Sequence, residues 1–305
     1  GDVLCWGKNT YGQLGNGGRV DSPRLTKVGG IRDAKQVAVG RDFSCALRRG
    51  GAVMCWGNNE DGQLGNGRGG SPGAMSLTPV AVSGLRGVQQ ISLGDYHGCA
   101  RGKEGKVRCW GSSENGQIGA DSQRVFGSPL PIERLGKAAS VASGANHVCV
   151  LETSGTVKCW GRNTEGQLGD GKSGSRIKPV VVSKIRDGRS LVSGDNHSCV
   201  VRRTGAVACW GSNSDGQLGA KAPPKKSNTP VALPGLKDVK QLAAGDRHAC
   251  IRQSSGRVFC WGANDKGQLG GPASPRPRLQ PGPVRGLADA VDISLGLGHS
   301  CAVRT

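Results

Sequence analysis

The chain has 305 residues, 53 of them glycine and only 4% aromatic, without a strict glycine triplet; this excludes collagen and favours a turn-rich all-β protein. Forty-one Lys and Arg stand against 22 Asp and Glu, a net charge of +19, which suits acidic partners or, more simply, solubility. No apolar run approaches the roughly 20 residues that a spanning helix needs, and the sequence opens at Gly1 without a leader-like basic and apolar stretch, so it reads as a soluble, mature or trimmed product with no membrane span.

The first element is a short strand through Cys5-Trp6-Gly7, and a Gly-Gln-Leu-Gly turn follows at Gly12 to Gly15. Next come a variable Pro-containing loop and two apolar segments. A Gly-x-x-Phe43-x-Cys45 motif then leads into a hairpin that ends at Cys55-Trp56-Gly57. This course recurs along the whole chain. Tryptophan occurs only at Trp6, Trp56, Trp110, Trp160, Trp210 and Trp261, with separations of 50, 54, 50, 50 and 51 residues, and such self-similarity fixes the class of architecture. In the fourth passage, Pro179 to Val182 and Leu191 to Gly194 are the apolar segments. The hairpin from Cys199 to Cys209 turns at Gly205 and alternates like half-buried strands.

Four short strands per repeat of about 50 residues describe a propeller blade. The chain ends His299-Ser-Cys301-Ala-Val-Arg-Thr305. Joined to Val3-Leu-Cys5-Trp6-Gly7, this segment rebuilds one hairpin. The expectation is therefore an all-β, six-bladed β-propeller of four-stranded antiparallel blades in one domain, residues 1–305, with the ring closed by pairing of the N- and C-terminal strands, which removes open edges. Each Trp is expected between blades as core.

The pattern His-x-Cys, then Gly-x-Val-x-Cys-Trp-Gly-x-Asn-x-x-Gly-Gln-Leu-Gly, resembles the repeats of the regulator of chromosome condensation family over essentially the whole chain. The best-known members have seven blades, whereas six repeats are present here. The resemblance implies that partner proteins meet residues of the Gly-x-x-His motif.

The 12 cysteines fall into pairs ten residues apart: Cys45 with Cys55, Cys99 with Cys109, Cys149 with Cys159, Cys199 with Cys209, and Cys250 with Cys260. Cys5 and Cys301 are left to pair across the termini. Each pair flanks its turn symmetrically, so the two Cβ atoms lie opposite one another, close to disulfide reach. Six disulfides imply an oxidising compartment, hence an extracellular, cell-surface or periplasmic location; buried free thiols are the alternative for a cytosolic protein. Zinc needs closer spacing and four convergent ligands, and no metal or other cofactor is expected.

His97, His147, His197, His248 and His299 occupy the same place in successive repeats, where Phe43 stands in the first. Repetition points to structure rather than catalysis, with a ring nitrogen bonded to a nearby backbone carbonyl. No Gly-x-Ser-x-Gly, Walker loop or His-Glu-x-x-His is present, so the expectation is a non-enzymatic binding module.

The residues inside Gly-x-x-His vary from repeat to repeat, as a surface for a protein partner should: Arg41 and Asp42 with Phe43, Asp95 and Tyr96, Asn146, Asp195 and Asn196, Asp246 and Arg247. Hairpin tips add a basic rim of Arg48, Arg49, Arg101, Lys103, Arg202, Arg203 and Arg252, the basis of the alternative reading, capture of glycan, lipopolysaccharide or nucleic acid. Basic, Pro-bearing loops at residues 68–72, 221–226 and 272–278 add to it. A pore-mouth lyase or hydrolase is the third reading. Nothing in the sequence sets the oligomeric state.

Overall fold

The computed structural model describes residues 1–120, 125–220 and 225–305; the first four residues of the basic loop expected at 221–226 lie outside them. The described residues form 24 β-strands and no helix. They fall into two compact units, Gly1–Asn146 with Ile177–Pro179, and His147–Arg176 with Val180–Thr305.

In the first unit, β1 (Leu4–Gly7) pairs with β2 (Ser22–Lys27) as a two-stranded antiparallel sheet. Then β3 (Ala34–Val39), β4 (Phe43–Arg48), β5 (Val53–Asn58) and β6 (Met75–Ala81) form a four-stranded meander in chain order. A second meander contains β7 (Val88–Leu93), β8 (His97–Gly102), β9 (Val107–Ser112) and β10 (Val125–Pro131), and β11 (Ala138–Ser143) follows.

In the second unit, β12 (His147–Glu152) and β13 (Val157–Gly161) form a hairpin, and β14 (Arg176–Val181) pairs with β13. Two more meanders follow: β15 (Gly188–Ser193) to β18 (Lys226–Leu233) through β16 (His197–Arg202) and β17 (Val207–Ser212), then β19 (Val239–Ala244) to β22 (Ser274–Pro283) through β20 (His248–Gln253) and β21 (Val258–Asn264). The unit ends in the two-stranded sheet of β23 (Ala290–Leu295) and β24 (Ser300–Arg304).

The middle hairpins depart from the expected alternation. Every residue of β12 and of β17 is buried. Within each unit apolar clusters lie between neighbouring sheets, as in the cluster of Val201, Val207, Leu218, Leu242, Ile251 and Trp261. Five disulfides lie within these hairpins at the predicted pairs, and in the ladders Cys199 stands opposite Cys209 and Cys250 opposite Cys260.

Polar side chains brace the repeats. In the Gly-Gln-Leu-Gly turn the Gln Oε1 accepts a backbone N–H two residues earlier, as Gln63 does from Asp61 and Gln217 from Asp215. An Asn five residues before the Leu accepts that Leu's N–H, as Asn59 does from Leu64 and Asn163 from Leu168. Other glutamines stitch sheet to sheet: Gln36 donates to Ile91 O at 2.8 Å and accepts from Ile91 N at 3.0 Å, and Gln241 does the same with Ile293. Such reciprocal bonds satisfy buried backbone groups that would otherwise be costly to leave unpaired.

Strand β1 is bonded to β2 and β24 to β23, and Cys5 and Cys301, expected to pair, are free thiols. Trp6, expected in the core, is 62% exposed, whereas the other five tryptophans are fully buried.

Candidate functional site

Two clusters of Gly-x-x-His residues stand out, one in each unit. In the first, the loop between β3 and β4 presents Arg41, and the loop between β7 and β8 presents Tyr96. The Arg41 guanidinium donates to Tyr96 Oη at 2.8 Å and lies 5.7 Å from its ring centroid, so both hydrogen bonding and the ring quadrupole hold it. Asp42 lies 3.9 Å from Arg41 Nε and accepts from Gln13 Nε2 at 3.5 Å. Partial burial raises the Tyr96 pKa, with Arg41 opposing the shift. Asp95 is half-buried beside them, and its backbone N–H donates to Ala145 O.

In the second unit Arg247 is the hub. Its guanidinium pairs with Asp215 at 3.1 Å, with Asp265 at 3.2 Å and with its neighbour Asp246 at 3.3 Å. Burial works against the charge on Arg247, but the three carboxylates outweigh it and raise the pKa. Asp265 is held below the usual carboxylate range by a hydrogen bond from Gln268 and by Arg247. Asp215 and Asp265 come from the Gly-Gln-Leu-Gly turns of successive repeats and were absent from the sequence-predicted set. Asp215 stands one residue before its turn glycine and Asp265 two before its own, so no single repeated position signals them. Asn196, in the loop before β16, accepts from Gln167 at 3.2 Å; Asn146 and Asp195 are half-buried in the equivalent loops.

Phe43 is corrected from this set. It is 1% exposed and belongs to the core cluster of the first unit. Its ring occupies the place of the imidazole beneath Gly40, where a side chain on the glycine would have no room.

The histidine reading is also corrected in detail. His147 Nε2 meets Ser198 Oγ at 2.8 Å and His248 Nε2 meets Ser300 Oγ at 2.9 Å, hydroxyls of the next repeat rather than backbone carbonyls. Ala249 takes the equivalent place for His197, and the ring nitrogens of His97 and His197 have no partner among the described residues. Burial lowers the His97 pKa to about 4 and that of His197 to about 3, the latter also through His248. Burial likewise lowers His248 to about 4, with His299 and Arg247 adding to the effect. These imidazoles are neutral packing groups.

The basic rim is partly engaged. Arg48 pairs with Asp33 at 2.6 Å and Arg202 with Asp187 at 2.8 Å. Arg252 donates to Gln241, and Arg203 to the carbonyls of Thr153 and Ser154. Arg101 is half-buried, whereas Arg49 and Lys103 are exposed. In the first unit Lys103 joins Arg86, Lys106 and Arg108 around a cleft of about 420 Å³, with Glu104 paired to Lys106. Among the described residues no three of His, Cys, Asp or Glu gather as a metal site, and no helix is long and apolar enough to cross a membrane.

Repeated four-stranded antiparallel sheets, hairpins of constant register and variable loops ahead of each His define a repeat β-propeller of the chromosome-condensation-regulator type. The family model for the RCC1-like domain matches residues 1–305, and the chain belongs to that family. It is similar to the ultraviolet-B receptor UVR8 of Arabidopsis thaliana, 32% identical over 124 residues, which are 39% of this chain and 28% of the receptor. It is also similar to the probable E3 ubiquitin-protein ligase HERC6 of Homo sapiens, 32% identical over 139 residues, 44% of this chain and 13% of the ligase. The matches thus span less than a third of these relatives' lengths. Among solved structures, Prp20p of Saccharomyces cerevisiae superposes with a TM-score of 0.87 at 23% identity, over 100% of this chain and 78% of that one. Human WBSCR16 superposes at 0.89 and 24%, over 99% and 81%.

Proposed function

We propose that this chain is a non-enzymatic binding module, a single domain over 1–305, that recognises a protein partner through the loops ahead of the His positions and works in an oxidising compartment outside the cytosol. The observation that carries the reading is the pair of clusters around Arg41–Tyr96 and Arg247. Their residues differ from repeat to repeat while the flanking Gly is constant and the His position holds His or, at Phe43, another ring, and their side chains are at least partly exposed and already held in place by hydrogen bonds and ion pairs. A pre-organised surface loses less entropy on binding. Yeast RCC1 (Prp20), solved bound to Kap60 and studied for binding to Gsp1p and histones, shares the fold, which supports protein recognition as the task. Five buried disulfides favour the oxidising location.

The test is affinity capture at low and high salt, with an Arg41→Ala/Tyr96→Ala/Arg247→Ala variant alongside. The expected result is one protein that survives salt and is lost with the variant. Capture of acidic polymers alone, equally by the variant and lost with salt, would replace this reading with the second, in which the cleft lined by Arg86, Lys103, Lys106 and Arg108 takes a polyanion.

A further inference from the structure

A repeated ion pair ties the loop ahead of a sheet to the tip of its hairpin. Arg48, the last residue of β4, donates to Asp33, the residue before β3, at 2.6 Å. Arg202 at the end of β16 donates to Asp187 before β15 at 2.8 Å, and Arg304 to Asp289 at 2.8 Å. The backbone is tied at the same place, because the N–H groups of Arg49 and Arg203 donate to Asp33 O and Asp187 O.

The β7–β10 sheet replaces both partners with glycine: Gly87 stands before β7 and Gly102 ends β8. Neither glycine is demanded by packing. A Cβ on Gly102 would meet Lys106 O at 3.9 Å, and the nearest atoms to one on Gly87 would be those of the Lys103 stem, at 3.9–4.0 Å. Gly87 has φ +61°, but Asp238 holds φ +52° at the equivalent position before β19. The register shift beside these residues does not need glycine either. Val88 stands opposite Gly102 as Ala34 stands opposite Arg48 and Gly188 opposite Arg202. A strand glycine that neither turn nor close backbone requires marks a place where another group approaches.

Both glycines line the cleft of about 420 Å³ in the first unit, whose apolar lining is Leu85, Val88 and Ala100. Four cations, Arg86, Lys103, Lys106 and Arg108, face one carboxylate, Glu104, which pairs with Lys106 at 3.3 Å. Arg86, Lys103 and Arg108 are exposed and make no ion pair with another described residue. The glycine at position 87 therefore does two things. It leaves room beside the hairpin, and it withholds from the cation cluster the acid that Asp33 and Asp187 supply elsewhere.

We propose that the Gly87–Gly102 cleft is a binding site for a small, sugar-sized ligand that carries two tetrahedral oxyanion esters, phosphate or sulfate. Arg86 comes from the loop before β7 and Arg108 from β9, and each guanidinium matches one oxyanion through paired N–H donors. Lys103 supplies a third charge, and the apolar lining takes the carbon skeleton. The volume lies in the range of about 300–1,000 Å³ that holds discrete small molecules, so the cleft fits a compact ligand rather than a length of polymer. The site is separate from the partner-binding loops and does not rest on that reading.

The test is isothermal titration calorimetry with fructose 1,6-bisphosphate and with a disulfated disaccharide, glucose serving as the neutral control. At least one ester probe should bind at one per chain, and the tighter of the two identifies the ester, while glucose should not bind. Gly87→Asp with Gly102→Arg rebuilds the ion pair of the other sheets and leaves the net charge at +19. It should weaken the probe about ten-fold or more without lowering the unfolding midpoint. Arg86→Gln with Arg108→Gln, which leaves the backbone alone, should weaken it by a similar factor. The proposal is overturned if neither ester probe binds at one per chain, or if either double variant binds as tightly as the wild type, which would trace the binding to overall charge. The Arg41→Ala/Tyr96→Ala/Arg247→Ala variant should bind the probe unchanged, so the proposal and the partner-binding reading can fail separately.

Discussion

The β15–β18 meander and the two half-sheets β1–β2 and β23–β24 are written in the same sequence code, yet they differ in what covers them. In the meander Trp210 and His197 are fully buried and Cys199 is bonded to Cys209. In the half-sheets Trp6 and His299 are exposed, and Cys5 and Cys301 are free. The difference teaches that the repeat signature encodes one strand's side of a joint. Burial, neutral histidine and disulfide all appear together when the other side is present.

The largest effect that would sharpen this contrast is expected in acid. His97, His197 and His248 sit in the covered sheets with pKa values of about 4, 3 and 4, below their unfolded value of about 6.5. Between those limits the unfolded chain binds more protons than the native one, so stability is full above pH 6.5 and falls as pH drops toward about 4. Urea unfolding at a series of pH values checks this; a midpoint constant from pH 7 to 4 would break the comparison.

Next is the indole itself. Trp210→Ala removes a fully buried side chain and should cost about 3–5 kcal/mol, while Trp6→Ala should change stability by about 0.5 kcal/mol or less. Equal losses in urea titrations would mean that Trp6 is seated in solution. Removing a completed staple, Cys199→Ala with Cys209→Ala, should cost about 2–3 kcal/mol, whereas Cys5→Ala with Cys301→Ala should leave the unfolding midpoint of the monomer in place. The smallest contrast lies in glycine. Gly169 has φ +63° and abuts Trp210, so Gly169→Ala combines backbone strain with overpacking, about 1–3 kcal/mol. Gly205 has φ +86° in open space, and Gly205→Ala should cost about 1 kcal/mol from backbone alone, measurable as a smaller shift in thermal midpoint.

Much of the fold could be read before any coordinates. Period, turn glycines and the symmetric placement of cysteines about each hairpin tip specify local pairings, and local register survives folding because a one-residue slip would expose every buried side chain. Less of the candidate site was legible. The Arg247 cluster draws Asp215 from 32 residues before and Asp265 from 18 residues after, a proximity set by the stacking of sheets rather than by any motif. The Gln36 and Gln241 stitches were invisible for the same reason. Phe43 was misplaced because variation at a repeated position was taken for surface, when the ring is an apolar substitute in a buried slot. Trp6 was misjudged because the repeat signature does not say whether a neighbouring sheet covers the indole.

The most direct measurement of the central claim is alkylation of the unreduced monomer followed by peptide mass mapping. The expected result is five disulfides at the ten-residue pairs and two labelled thiols, Cys5 and Cys301. A monomer that takes up no label and yields a peptide joining Cys5 to Cys301 would contradict it.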